Sequence, residues 1–242
     1  MTPAKIDLAL LASGAREFDL DLSPAQLDQF ARYAELLIDW NLRFNLTSIA
    51  DPRDIVIKHF LDSLSAARSI PAGPIKLMDV GAGAGLPGLP LKIARPEITL
   101  TLVEATRKKC DFLKAVADDL HLSAVQVVNA RAEDAGRMED HREQYDIAIA
   151  RAVADLPVLI EYLLPFVKIG GFAVAQKSRE AADELDRADT AILLLGGLGS
   201  EIINVKVPGL NDERTLILIE KITATSDEYP RRTGVPAKKP LL

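Results

Sequence analysis

The run Met78-Asp79-Val80-Gly81-Ala82-Gly83-Ala84-Gly85-Leu86-Pro87-Gly88 constrains this chain more than any other feature. Its glycines follow a short apolar strand, Lys76–Val80, and precede a helical stretch. Glycine there lets the backbone turn sharply out of the strand and approach a ligand closely. A strand, a glycine loop and a helix in that order belong to α/β folds, which bind ligands at the carboxyl ends of their strands. A tight turn with no ligand is the structural alternative.

The chain beyond residue 71 keeps the same rhythm. Thr99–Glu104 reads as the next strand, and Cys110, Leu113, Val116 and Leu120 stripe the helix after it. Val125–Asn129, Tyr145–Ala150 and Gly171–Gln176 are further strands, with a helix over Leu156–Val167. Glu201–Val207 and Arg214–Ile222 form a closing hairpin across Pro208-Gly209-Leu210-Asn211-Asp212. Strands separated by helical stretches imply βαβ units. The expected fold is therefore α/β and Rossmann-like: a mostly parallel seven-stranded sheet whose last strand is antiparallel.

Residues 1–70 have a different character. Ser23-Pro24-Ala25-Gln26 combines a capping box with proline at the first helical position, and Leu27, Phe30, Ala34 and Leu37 line one helix face. Asp51-Pro52-Arg53-Asp54 starts a second helix, striped by Val56, Phe60, Leu64 and Ala67. Pro71-Ala72-Gly73-Pro74 breaks the pattern. Three parts are expected: an N-terminal helical extension (1–70), the α/β domain (71–224) and a basic, extended, mobile tail (225–242).

Composition narrows the function classes. At 48% hydrophobic and 26% charged residues, the chain is an ordinary globular one, not disordered throughout, collagenous or a coiled coil. Lys plus Arg is 29 against 35 for Asp plus Glu, a net charge of −6, so any nucleic-acid contact must use local basic patches. The single cysteine, Cys110, excludes an internal disulfide and a multi-cysteine zinc site, and no metal is expected. Leu156–Val167 and Ala191–Leu198 are too short to span a bilayer, and Lys5 and Asp7 make a poor secretory signal. A soluble, cytoplasmic protein with no membrane partner follows as the expectation, and monomer is the default.

Two nucleotide ligands compete for the loop. Gly83, Gly85 and Gly88 match GxGxxG, with Glu104 about twenty residues on, as for a nicotinamide dinucleotide. Asp79, ending the strand just before the tighter Gly81-Ala82-Gly83-Ala84-Gly85, repels a pyrophosphate but suits the amino group or sulfonium of S-adenosylmethionine. Glu104 suits ribose hydroxyls in either case. S-adenosylmethionine is favoured; an NAD-type oxidoreductase and a non-catalytic S-adenosylmethionine-sensing RNA-binding protein remain the alternatives.

From Asp79 to Leu91 the chain resembles the loop signature of the ribosomal RNA small subunit methyltransferase G (glucose-inhibited division protein B) family. Asn45-Leu46-Thr47, Lys58-His59-Phe60-Leu61-Asp62-Ser63-Leu64, Arg131-Ala132-Glu133-Asp134 and Ala150-Arg151-Ala152-Val153-Ala154 are similar to further motifs of that family, in order. The segment from Tyr229 to Leu242 resembles its basic, proline-rich ending. The resemblance implies a class I S-adenosylmethionine-dependent methyltransferase. It also implies methyl transfer to N7 of guanine 527, in the 530 loop of 16S rRNA within the small ribosomal subunit. Carried over by position, Asp79, Gly81, Gly83, Gly85 and Leu86 belong to the cofactor loop, and Glu104, Ala105 and Thr106 to the ribose side. Ala132 and Glu133 flank the adenine, and Arg151 lies between the methionine end and the target guanine.

What the sequence lacks agrees with that chemistry. Guanine N7 carries an in-plane lone pair, so no base is needed, and where amine methyltransferases carry Asn/Asp-Pro-Pro-Tyr/Phe this chain has Arg151-Ala152. Arg151 suits the O6 edge or a phosphate, unless Asp79 or Glu104 takes it as an ion pair. Arg231, Arg232, Lys238 and Lys239 are expected to grip RNA, so removing Tyr229–Leu242 would weaken substrate binding and spare the cofactor. His59 reads as an inter-helix hydrogen-bonding residue, His121 and His141 as solvent-facing, and Cys110 as core. Trp40 and Phe44 fit stacking on RNA as well as packing between helices. Arg107, Lys108 and Lys109 form either a solvated face or the edge of an RNA patch.

Overall fold

The computed structural model describes residues 5–178 and 181–242. Its centre is a seven-stranded sheet in the order β3-β2-β1-β4-β5-β7-β6. The strands are β1 Lys76–Val80, β2 Thr99–Glu104, β3 Val125–Asn129, β4 Tyr145–Arg151, β5 Val167–Lys177, β6 Gly197–Val205 and β7 Arg214–Lys221. Pairing is parallel from β3 through β5, and β7 runs antiparallel to both β5 and β6. This is the expected architecture, including the closing hairpin. Strand order reverses between β1 and β4, which opens a crevice at their carboxyl ends.

Period-two alternation divides each strand between two cores. Leu77, Leu100, Leu102, Ile147, Ile149 and Val174 face one side; Met78, Val80, Val103, Ala148, Ala150 and Ala173 face the other. The first side is covered by α5 (Gly88–Ala94), α6 (Arg107–Asp119) and the N-terminal helices α1 (Leu8–Arg16) and α2 (Pro24–Phe44). The second is covered by α8 (Leu156–Leu163) and α9 (Ala181–Leu194), which fills the crossover between β5 and β6. Pro165 contributes no N–H, and the expected Leu156–Val167 helix accordingly ends in a tight turn over Leu164–Phe166. Short helices α7 (Ala132–Ala135) and α10 (Val235–Lys238) complete the chain.

The N-terminal helices start where the sequence places them. Ser23 Oγ accepts the Gln26 N–H, and Gln26 Oε1 accepts the Ser23 N–H, closing the capping box. Gln26 Nε2 also donates to the carbonyls of Ile93 and Ala94, capping the far end of α5. Asp51 Oδ1 accepts the N–H groups of Arg53 and Asp54. The second expected helix is less regular than its stripe suggests. Between α3 (Pro52–Asp54) and α4 (Asp62–Leu64) the chain is π-helical over Ile55–Leu61, and it ends as a 3-10 turn over Ser65–Ser69. Because Phe30, Tyr33, Phe60 and Leu64 share one core with Leu77 and Leu100, the Pro71–Pro74 break is a turn within a common hydrophobic unit.

The tail departs from expectation. It neither extends nor projects: Tyr229 and Leu241 pack on the second core, and body residues capture its backbone throughout. Arg137 donates to the carbonyls of Pro230, Asp227 and Glu228, and Arg142 to those of Tyr229, Thr225 and Ser226. Among the described residues no helix is long and apolar enough to cross a membrane.

Candidate active site

A cleft of about 370 Å³ lies at the carboxyl ends of β1 and β2, within the usual range of about 300–1,000 Å³ for small-molecule sites. Val80, Gly81, Val103, Glu104 and Ala105 line one side; Ala130, Arg131, Ala132, Glu133 and Tyr162 line the other, and Val153 closes an end. Gly81 adopts φ 73°, and a Cβ there would stand 2.8 Å from Val153 Cγ2, so only glycine leaves this floor open. The Gly81 and Ala82 N–H groups both donate to the Val103 carbonyl, which ties the first turn of the loop to β2.

Glu104 is the polar centre of the cleft. Its Oε2 accepts the Gly83 N–H at 3.0 Å and its Oε1 the Thr106 N–H at 2.7 Å. Each oxygen keeps a further lone pair, the acceptor pattern a pair of vicinal hydroxyls requires. Across the cleft, buried Glu133 accepts the Gly234 N–H at 2.8 Å.

Several expected contacts lie elsewhere. Alternation puts Asp79 on the face of Leu77, beneath α5, where it is fully buried. Its Oδ2 accepts the Gly88 N–H at 2.8 Å and its Oδ1 has no protein partner. Burial, reinforced by the charge of Glu104, pushes the Asp79 carboxyl up to about 7, against the pull of Gly88 and Arg151. It anchors the loop from below instead of standing at the mouth of the crevice. Gly85 also faces inward: a Cβ there would stand 2.8 Å from the Tyr33 hydroxyl and would collide with Leu89. Tyr33 donates to the Ala84 carbonyl, so α2 braces the loop from behind. Leu86 is buried in the same core, and Gly83 and Thr106 reach the cleft through their N–H bonds to Glu104.

Arg151 is engaged by neither Asp79 nor Glu104. Its Nη1 donates to Asp62 Oδ2 at 2.6 Å and to the Lys58 carbonyl at 3.1 Å. Arg214 Nε donates to the other oxygen of Asp62, also at 2.6 Å. His59 hydrogen-bonds Thr47 Oγ1 at 2.9 Å, the inter-helix role expected of it. Burial, and then the charge of Arg151, lower its pKa to about 4.

The tail supplies a wall of the cleft through Thr233, Gly234 and Ala237. Arg231, expected on RNA, is held by fully buried Glu161, whose Oε2 accepts Nη2 at 2.6 Å and whose Oε1 accepts the Arg231 backbone N–H at 2.7 Å. Arg232, Lys238 and Lys239 are exposed. Removing Tyr229–Leu242 therefore strips the cleft as well as the basic surface, contrary to the expectation that the cofactor is spared. Thr233 Oγ1 donates to Asp134 Oδ1 at 2.9 Å, a second tie to the same wall.

Of the remaining candidates, Cys110 is core, and its thiol donates to the Glu104 carbonyl. His121 sits at an exposed helix end, whereas His141 is buried on the Tyr145 hydroxyl at 2.8 Å and does not face solvent. Trp40 packs against Phe44 and Phe112, with ring centroids 5.4 and 5.5 Å away. Asp62, Arg214, Tyr162 and Glu161 are the residues that sequence reasoning missed. Only Asp62 carried a signal, as a charge within the apolar stripe Phe60–Leu64.

A family model described as rRNA small subunit methyltransferase G matches residues 26–216. The ribosomal RNA small subunit methyltransferase G of Roseiflexus castenholzii is 50% identical over 94% of this chain and 97% of its own length. The protein of the same name from Dehalococcoides mccartyi strain BAV1 is 47% identical, over 96% and 99%. Among solved structures, a predicted O-methyltransferase from Agrobacterium tumefaciens superposes with a TM-score of 0.52 at 21% identity. That superposition covers 69% of this chain and 81% of the other, and it shows a shared fold.

Proposed function

This chain belongs to the rRNA small subunit methyltransferase G family, and on that premise we propose that it methylates N7 of guanine 527, in the 530 loop of 16S rRNA, from S-adenosylmethionine. The observation that carries the reading is the cleft at the strand switch point, with Gly81 as its bare floor and the Glu104 carboxylate at its centre. We place the reaction in the cytoplasm, where small subunits are assembled, and take the protein as a monomer.

The residues present fit the donor. Glu104 has acceptor capacity for ribose hydroxyls on oxygens already fixed by Gly83 and Thr106. Ala105 and Ala132 offer small apolar walls, and Glu133 borders the base. When bound, S-adenosylmethionine supplies an electrophilic methyl group on sulfur. The protein needs no proton-transfer machinery, because N7 attacks with an in-plane lone pair. His59, neutral at physiological pH and committed to Thr47, does not act as a base. Catalysis then rests on holding the nucleophile in line with the methyl group, roughly 3 Å away, where effective molarity contributes several kcal/mol. Arg151, at the end of β4 and two residues from Val153, is the side chain placed to orient the substrate.

The test is transfer of labelled methyl from S-adenosylmethionine to small ribosomal subunits lacking the modification, with the product nucleoside identified by mass. Labelled 7-methylguanosine is the expected product. Cofactor binding with no label in RNA would overturn the assignment.

A further inference from the structure

Asp62, Arg151 and Arg214 form a cluster beside the cleft but outside its lining. They come from the N-terminal helical run, the end of β4 and the start of β7. The sheet register brings them together: Arg151 pairs with Gln176, and Lys177 pairs with Thr215, so Arg214 stands one residue past the same carboxyl edge. Gln176 Nε2 donates to the Asp62 carbonyl at 2.6 Å and fixes the backbone that carries the carboxylate.

The charges do not cancel. Asp62 is 4% exposed and each of its oxygens accepts one guanidinium, leaving two cations on one anion beside a neutral His59. Each guanidinium has five N–H donors, and the bonds to Asp62 and Lys58 occupy only part of them. The Arg151 and Arg214 side chains are 14% and 22% exposed, so the remaining donors reach the surface from a rigid mount.

We infer that Arg151 and Arg214 form a seat for a backbone phosphate of the RNA next to the target guanine, and that Asp62 is the positioning residue that holds the two arginines. The inference rests on the proposed RNA methylation. Three arguments favour a phosphate. A guanidinium fork laid across O6 and N7 would occupy the atom that must attack, so the usual arginine–guanine contact is unsuitable here. Methylation makes the base cationic, which a net positive cluster opposes, whereas a phosphodiester neutralises that cluster. Asp62 has no oxygen free of a cation for the Watson–Crick edge of a base. The carboxylate of the methyl donor is the competing anion, but neither arginine lines the donor cleft.

The experiment measures binding to unmodified small subunits across salt concentrations, together with S-adenosylmethionine affinity and methyl transfer. Arg214→Gln is expected to weaken subunit binding about tenfold or more, as loss of a charge-assisted hydrogen bond does. It is also expected to flatten the logarithmic salt dependence by about 0.7–0.9, one phosphate's worth, with S-adenosylmethionine affinity within about twofold of wild type. Arg214→Lys retains the salt slope while losing part of the affinity. Asp62→Asn keeps both cations, hence the slope, and loses kcat through misplacement. A purely structural cluster would move melting temperatures and leave the slope untouched. The seat is overturned if wild type methylates the subunit and the Arg214→Gln slope is unchanged, or if that substitution weakens S-adenosylmethionine binding instead. Failure of wild type to transfer any methyl sinks the RNA reading, and the seat with it.

Discussion

The first 70 residues and the last 18 are both appended to the same sheet, and they are attached by different physics. The N-terminal helices adhere through apolar faces: Leu11, Phe30, Tyr33, Phe60 and Leu64 merge with Leu89, Leu102 and Phe112 into one core. The C-terminal segment is held chiefly by hydrogen bonds that the body donates to its carbonyls, from Arg137 and Arg142, and by carboxylates that accept from it, Glu161 and Glu133. Apolar burial is strong but non-directional. Polar capture is weaker and directional, and it sets the Gly234 N–H on a cleft carboxylate. One appendage is therefore part of the folding unit, and the other is a strap that can be loosened locally.

The sharpest way to break this comparison is at Phe60. Its ring is fully buried, 5.0 Å from the ring of Phe30 and 5.3 Å from that of Tyr33. Phe60→Ala is expected to cost about 3–5 kcal/mol, because a ring-sized cavity in a shared core cannot collapse fully. Urea unfolding checks this: a single cooperative transition should shift as a whole. A loss below about 1 kcal/mol would mean that the N-terminal helices are not part of the core.

A smaller effect is expected from pH, through His59. Its folded pKa, about 4, lies below the ordinary value of 6.5 because burial and Arg151 disfavour the charged ring. As pH falls the unfolded chain takes up this proton first. The contribution is intact above pH 6.5, erodes on the way down, and is fully lost below about pH 4. The total is about 2–3 kcal/mol. Unfolding free energies of wild type and His59→Gln, compared between pH 7 and 4, should converge or cross as the wild type loses stability. A difference that stays constant across the range would show that His59 titrates normally.

The two appendages also differ in how legible they are. Ser23, Pro24, Gln26 and the spacing of Phe30, Ala34 and Leu37 announce α2 because caps and apolar periodicity are local signals. Strands β1 to β3 were readable for the same reason. The strap was not, because its partners lie far away in sequence: Arg137 and Glu161 read as surface charges until the fold brings residues 228–231 to them. Asp79 illustrates the same limit. Its place after a strand and before glycines was visible, but which sheet face it takes, and that α5 covers that face, is a tertiary fact. The cluster of Asp62, Arg151 and Arg214 depends on register between strands far apart in sequence. Asp62 alone betrayed itself, as a charge in an apolar stripe.

The finest test separates the strap from the folding unit. Glu161 is fully buried and takes the Arg231 backbone N–H and guanidinium together. In Glu161→Gln one oxygen acceptor becomes an NH2 donor facing a cation, while Arg231, with 23% of its side chain exposed, recovers some hydration. The expected cost is about 1–2 kcal/mol, less than for a fully buried pair. Because Tyr162 follows in the chain and Thr233 and Gly234 lie just beyond Arg231, the loosened strap takes part of the cleft wall with it. Trypsin should therefore cut at Arg231 and Arg232 several times faster, and S-adenosylmethionine affinity should fall about five- to tenfold, while the urea midpoint moves little. Faster cutting with unchanged S-adenosylmethionine affinity would detach the strap from the site. A urea midpoint shifted as far as that of Phe60→Ala would instead place the strap within the cooperative core, and the distinction between apolar and polar attachment would fail.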